Sequence, residues 1–400
     1  MPLVTDLPDE PATCLGRYRK HFGAPAFRHF QTYVCGLIVA ENLTVEGINR
    51  AFLQRRHPSS LNRFLTWSIW GHDDVNDARL EALKAEGGLQ GKGWLVIDDT
   101  LTHKTGKAIE AVRIYKDHCE NRYVLAHNLV TTLFIKRDGT VHPLHFRLYL
   151  KEDYCNEKGV PFKTKIDLAK ELVEQALGLG LEIEGVLFDN WYASKEFIRF
   201  LHGKTLRWVT RLKSDRNVKI RGTYMQVRDF ASTLSRDAFR KVMVGETPYW
   251  AFSKALDLKG VGRVRIVISH DNEELQGEPA YFATDNLQWE SSRILTTYAR
   301  RSKIEGFYRD AKQNLGLEDY QLRDLRGIKR HWCLVFLAYS LLVRGLRDTH
   351  GRPRDKRSPT FGDRVRSVKK TVFTGLVRWI VTMSNQGRSH EQISRLAFGY

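Results

Sequence analysis

Two apolar runs of strand length, GWLVIDDT at 93–100 and EGVLFDNWY at 184–192, each lead straight into aspartate. Two more β-rich runs, 123–135 and 141–150, lie between them, joined by the turn-like KRDG at 136–139. A helical stretch at 165–180 precedes the second aspartate, and a short helix near 193–202 leads to another strand at 206–212. The order β-β-β-α-β-α points to a mixed sheet flanked by helices. In open α/β sheets the working crevice lies beyond the carboxyl ends of parallel strands. Asp98, Asp99 and Asp189 therefore stand where chemistry is expected.

The rest of the chain arranges itself around that sheet. Residues 1–90 read as a helical domain, in which 44–52 and 59–70 form a helix–turn–helix-like pair around His57 and Pro58. With Arg50, Arg55, Arg56 and Arg63 nearby, the pair suits either a DNA groove or a bundle with a solvated basic face. The sheet domain opens over 91–212 and is interrupted at 213–279 by a β-rich insertion dense in Lys and Arg. It resumes over 280–350 and gives way to a basic helical tail at 351–400, beginning with the breaker-rich GRPRDKRSP.

Charge narrows the partners. The 64 Lys and Arg against 46 Asp and Glu leave a formal net charge of +18, which favours a polyanion such as nucleic acid. An anionic membrane competes poorly, because the basic residues are spread along the chain and not gathered on one amphipathic helix. The greasiest run, 332–343, is too short to span a bilayer and is flanked by Arg330 and Arg344. Five scattered cysteines without a C-x-x-C pair, and an N-terminus with no apolar core, lead us to expect a cytoplasmic, nucleoid-associated protein. No phosphate-binding G-x-x-x-x-G-K-[ST] loop is present, so ATP use is not indicated. A zinc site is not expected either: His142 and His145 should face opposite sides of a strand, and His118 beside Cys119 lacks spaced partners.

The stretch YARRSKIEGFYRDAK at 298–312 adds a third acidic element. On a continuous helix Tyr298, Arg301, Glu305 and Lys312 fall at roughly 0°, 300°, 340° and 320°, a single narrow stripe. Ile304, Phe307, Ala311 and Leu315 occupy the adjoining flank, which is built to bury. An exposed face laced with ion pairs gives the same spacing. Three carboxylates gathered on one sheet edge, however, need a cation, and Mg²⁺ or Mn²⁺ suits oxygen ligands. Two such ions can activate water and stabilise the leaving oxygen of a phosphodiester.

The spacing Tyr298-x2-Arg301-x3-Glu305-x6-Lys312 resembles the Y-R-E-K signature of DDE transposases from cut-and-paste bacterial insertion sequences. IDDT at 97–100 and LFDNWY at 187–192 resemble that family's first two catalytic blocks, and 314–342 resembles its usual sequel. The resemblance covers roughly 93–345. It implies a ribonuclease-H-like core with a β-rich insertion, Mg²⁺-dependent cleavage at element ends by two ions, and strand transfer. The implied partners are double-stranded DNA, as terminal inverted repeats and as target, and a second copy of the chain. Carried over, Asp99, Asp189 and Glu305 form the metal-binding triad, while Tyr298, Arg301 and Lys312 contact phosphates. Asp99 is chosen over Asp98 because the family's aspartate directly precedes Thr. Ser302 departs from the Trp that many relatives carry after the arginine. Trp250 or Trp289 would either support a flipped base or pack in the core. The competing functions are a ribonuclease-H-like nuclease that cuts without joining, and a non-catalytic DNA-binding regulator.

Overall fold

A computed structural model describes residues 4–5, 9–54, 57, 59–348 and 359–398. Arg55, Arg56, Pro58 and most of the breaker-rich segment at 351–358 lie outside the described residues. The chain forms two compact units, one of residues 1–88, 101–127 and 307–400, the other of 89–100 and 128–306.

The first unit opens with α1 (Asp9–Gly16), α2 (Ala24–Val39), α3 (Val45–Arg50), α4 (Ser59–Thr66) and α5 (His72–Ala85). Pro25 sits at the start of α2, where its missing N–H costs nothing, and the second half of the helix is buried from Tyr33 to Val39. Thr44 caps α3 by accepting from Gly47 N–H. In α4 the inward side chains are Leu61, Phe64 and Leu65. Arg63 points to solvent, and exposed Arg50 pairs with Glu46 one turn away at 2.8 Å.

The sheet begins with β1 (Gly93–His103), β2 (Arg113–Asp117), β3 (Arg122–Lys136) and β4 (Val141–Tyr149). Then come α6 (Glu152–Lys158), α7 (Lys165–Gly178), β5 (Ile183–Phe188), α8 (Lys195–Gly203) and β6 (Trp208–Leu212). The expected insertion carries β7 (Asn217–Ile220), β8 (Thr223–Gln226), α9 (Val227–Ser232), β9 (Arg240–Val244), β10 (Thr247–Leu258) and β11 (Gly262–His270). β12 (Ala280–Thr284) closes the series.

In the second unit the strand order is β3-β1-β5-β6-β12-β11-β10-β7-β8, with β4 on β3 and β9 on β10. β1, β5 and β6 run parallel, with Val96 opposite Leu187 and Phe188 opposite Thr210. β12 pairs antiparallel with both β6 and β11, so the insertion lengthens the sheet edge-on. The architecture is a mixed α/β sheet flanked by helices, the ribonuclease-H-like class expected from the sequence. α7 starts on a capping box between Thr164 and Asp167 and buries Leu168, Leu172, Val173 and Ala176. A side chain is excluded at Gly185, where an added Cβ would lie 2.5 Å from the Trp94 ring and 2.7 Å from Arg207 O. β2 escaped the sequence reading because RIYKD buries no residue fully and alternates between half-buried and exposed.

The helix expected to run unbroken through 298–312 is two helices, α10 (Ser291–Ala299) and α11 (Ser302–Leu315). Between them the backbone tightens into i→i+3 bonds, Arg301 N–H to Tyr298 O at 2.8 Å and Ile304 N–H to Arg301 O at 3.0 Å. Ser302 Oγ donates to Ala299 O at 2.8 Å, offering the carbonyl a local partner at the break. The single stripe of the helical wheel therefore does not exist, although Ile304, Phe307, Ala311 and Leu315 are buried as expected.

The first unit ends with α12 (Leu325–Asp348), α13 (Phe361–Asn385) and α14 (His390–Phe398). The apolar run within α12 is buried, and among the described residues no helix is long and apolar enough to cross a membrane. Two neutral imidazoles tie this unit together. His331 Nε2–H donates to Gly316 O at 2.9 Å, leaving Nδ1 to accept from the Tyr33 hydroxyl. His127 Nε2–H likewise donates to Glu110 O at 2.8 Å, and Nδ1 lies 2.7 Å from the Tyr320 hydroxyl.

Candidate active site

β1 does not stop at its aspartates but continues to His103. Asp98 and Asp99 are therefore consecutive residues of one strand and face opposite sides of the sheet. The Asp98 carboxylate meets Arg301, whose Nη2 lies 2.6 Å from Oδ2. The Asp99 carboxylate is held on the other side by three donors. Lys165 Nζ at 2.7 Å and Asn128 Nδ2 at 2.8 Å share Oδ2, and the Tyr192 hydroxyl donates to Oδ1 at 2.8 Å.

Asp189 follows the end of β5 and folds back on its own turn, accepting from Trp191 N–H at 2.9 Å and Tyr192 N–H at 3.3 Å. Its charge reaches Asp98, Tyr298 and Arg301. Glu305, in the first turn of α11, accepts from Arg301 Nη1 at 3.2 Å while most of its side chain stays in solvent. Arg301 is thus paired with both Asp98 and Glu305, and the charge of Asp189 acts on it without an ion pair. Its Nε–H is buried and has no hydrogen-bond partner among the described residues.

Burial pushes the Asp98 carboxyl up to about 7, with Asp99 and Asp189 adding to the rise and Arg301 opposing it. One guanidinium leaves this acidic group under-neutralised. A donor set made of carboxylate oxygens with excess negative charge fits a hard divalent cation. Tyr298 packs its ring on Phe282 at 5.0 Å, and burial drives its phenol up to about 12, so it stays protonated at neutral pH.

Of the residues singled out from the sequence, Arg301 and Glu305 are in contact, joined by Asp98, while Asp189 and Tyr298 lie within electrostatic reach of Arg301. Asp99 is turned to the opposite face. Lys312 belongs to the other unit, where Nζ donates to Leu101 O at 2.7 Å and pairs with Glu318 at 3.0 Å. Trp289 is buried against Trp94, and Trp250 is half-buried beneath Lys241. Lys165, Asn128 and Tyr192 were missed by sequence reasoning. Only Tyr192 carried a signal, as part of the LFDNWY block.

Among the described residues the group with three ligand atoms within 4.8 Å of one another is a different one, His103, Asp117 and Glu120; Asp98, Asp189 and Glu305 are not drawn that close. Asp117 Oδ1 accepts from Cys119 N–H at 2.8 Å and Glu120 N–H at 3.2 Å, and Glu120 pairs with Arg122. The group is a surface turn already closed by its own hydrogen bonds and ion pairs.

The sheet is of the ribonuclease-H-like class, with Asp98 on β1, Asp189 just after β5 and Glu305 in the first turn of α11. The family model described as DDE superfamily endonuclease matches residues 17–228, more than half of the chain, and the protein belongs to that family. A second model, described as transposase DDE domain, matches residues 163–341 and takes in Asp189, Tyr298, Arg301 and Glu305. No curated protein matches the chain. It is accordingly a nuclease-type enzyme of the transposase superfamily.

Proposed function

We propose that the protein is a DNA transposase that cleaves the ends of its element and joins the freed 3′-hydroxyl to target DNA. The observation that carries the reading is the pairing of Asp98 and Glu305 with Arg301, within electrostatic reach of Asp189, in a chain matched by both DDE models. Asp98, Asp189 and Glu305 would hold Mg²⁺ or Mn²⁺, two ions in all. When bound, the metal supplies Lewis acidity toward a phosphodiester and toward the departing oxygen. Asp98 replaces Asp99 in this assignment because its carboxylate, and not that of Asp99, shares the Arg301 guanidinium with Glu305. Asp99 positions Lys165 and Tyr192 instead.

The chain's own residues then have distinct tasks. Arg301 holds Asp98 and Glu305 together until substrate arrives, and its guanidinium is a charge-assisted donor for a phosphate oxygen. Tyr298, protonated, is a donor beside it. Lys312 contributes a cation for the DNA backbone. Hydrolysis makes a bond from water oxygen to phosphorus and releases the 3′-hydroxyl of the element end. That hydroxyl, attacking in line, displaces the 3′ oxygen of a target phosphodiester. Two ends must be joined in concert, so the working form is a dimer on DNA. The net charge of +18 supports binding through phosphate contacts that weaken steeply with salt.

The test is cleavage and joining of duplexes carrying the sequences that flank the coding region, with Mg²⁺ present. Wild-type protein cuts and joins, while Glu305→Gln and Asp189→Asn bind the duplex without cutting. Unimpaired cutting by either variant refutes the assignment, and cutting without joining of pre-cut ends reduces the protein to a nuclease.

A further inference from the structure

The turn between α4 and α5 pushes two large apolar side chains into water: Trp67 is 74% exposed and Ile69 97%. Scattered exposed hydrophobics are ordinary, but this pair stands on a turn fixed from beneath. Arg330, only 4% exposed, reaches up from α12 and donates to three carbonyls of the turn. Nη1 bonds Leu65 O at 2.8 Å, and Nη2 bonds Ser68 O at 2.8 Å and Trp70 O. Its guanidinium lies 4.5 Å from the centre of the Trp70 ring. Trp70 is itself buried, stacked on Phe64 at 5.2 Å, with Nε1–H bonded to Phe64 O. At the other end Trp67 N–H and Ser68 N–H both donate to Arg63 O. A buried cation with three hydrogen bonds to one turn is a rigid mount. The residues it leaves outside are the two that gain most from leaving water.

The surroundings state the chemistry of the partner. Arg63 lies over the Trp67 ring at 5.7 Å, and Arg326 and Lys329 line the same depression as Trp67 and Ile69. Two of the acids there are occupied with backbone: Glu110 accepts from Leu325 N–H and Asp324 from Gly327 N–H. Asp74 and Asp324 are both exposed, at the rim. An aromatic and an aliphatic prong with Arg63, Arg326 and Lys329 beside them suits a polyanion whose interior is flat and apolar. Duplex DNA has that composition, and apolar wedges seated between base steps are a general way of gripping and kinking it.

We propose that Trp67 and Ile69 form a wedge that contacts duplex DNA at an unstacked base step, with Arg63, Arg326 and Lys329 on the flanking phosphates. This rests on the DNA reading given above and adds to it a contact away from the acidic site. The test compares full-length wild type, Trp67→Ala/Ile69→Ala and Trp67→Phe on a labelled duplex, perfectly paired or with one central mismatch. Wild type should favour the mismatched duplex, whose step is already loosened. The double variant should bind about tenfold more weakly and lose that preference, since an aromatic contact to a base is worth about 1–3 kcal/mol. Trp67→Phe should keep most of the affinity, and Ile69→Ser alone gives the same direction if the double variant fails to fold. Equal affinity of wild type and double variant overturns the wedge alone. So does a change of oligomeric state with DNA binding intact. Failure of wild type to bind either duplex removes the DNA reading itself.

Discussion

Arg301 and Asp98 lie 203 residues apart in sequence and form a 2.6 Å ion pair with side chains only 14% and 13% exposed. The same guanidinium reaches Glu305 at 3.2 Å. Arg301 thereby acts as an internal counter-ion for acids that would otherwise repel one another.

The first prediction separates the two neighbouring aspartates. Asp98→Asn should abolish Mg²⁺-dependent cleavage. Asp99→Asn should leave it reduced about 10–100-fold, the range for a group that orients others. Steady-state cleavage rates of the two purified variants decide it, and a reversed order would return Asp99 to the metal.

A second prediction concerns the ion pair. Arg301→Met leaves Asp98 buried with fewer partners and should lower unfolding free energy by about 3 kcal/mol in denaturant titration. Adding Asp98→Asn removes the stranded charge and should recover most of that loss. If the double variant is as unstable as the sum of the singles, the two groups are not coupled.

Acid should loosen the helical unit before the sheet. Burial holds His127 down to about 4 and His331 down to about 3, against about 6.5 in an unfolded chain. The unfolded state therefore binds more protons below 6.5, and native stability, complete above that pH, falls as pH drops toward 4. Each imidazole accepts a hydrogen bond at Nδ1, so protonation there also removes a hydroxyl's partner. His331→Gln should flatten the dependence of melting temperature on pH between 6.5 and 4. An unchanged slope would show that other groups govern it.

Gly185→Ala should cost about 1–3 kcal/mol, because the new methyl meets the Trp94 ring and the Arg207 carbonyl where β5 lies between β1 and β6. Thermal melting of the variant measures it. Trp94→Leu in the same chain should restore part of the loss.

Much of this was legible in advance because the sheet's strands are buried on both faces and write themselves as apolar runs. β1, β3, β4, β5, β6 and β12 fall within a few residues of the runs that suggested them. What failed was local. GWLVIDDT reads as a strand ending in Asp, whereas pairing carries β1 on to His103, and that extension decides which aspartate faces Arg301. The periodicity of 298–312 is genuine on its buried side, but periodicity does not report a turn of i→i+3 bonds at Arg300 and Arg301. Lys165 and Asn128 were invisible because a Lys at a helix start and an Asn within a strand announce nothing until tertiary contacts bring them to one carboxylate.

The path of the chain has a practical bearing. It passes between the two units four times, and three of those passages fall inside β1, β3 and α11 rather than in connecting loops. No pair of cuts releases either unit with its secondary structure whole. A fragment carrying only the acidic sheet would begin with severed strands. Loss of activity in a fragment cut at those boundaries therefore reports a broken fold before it reports a missing function.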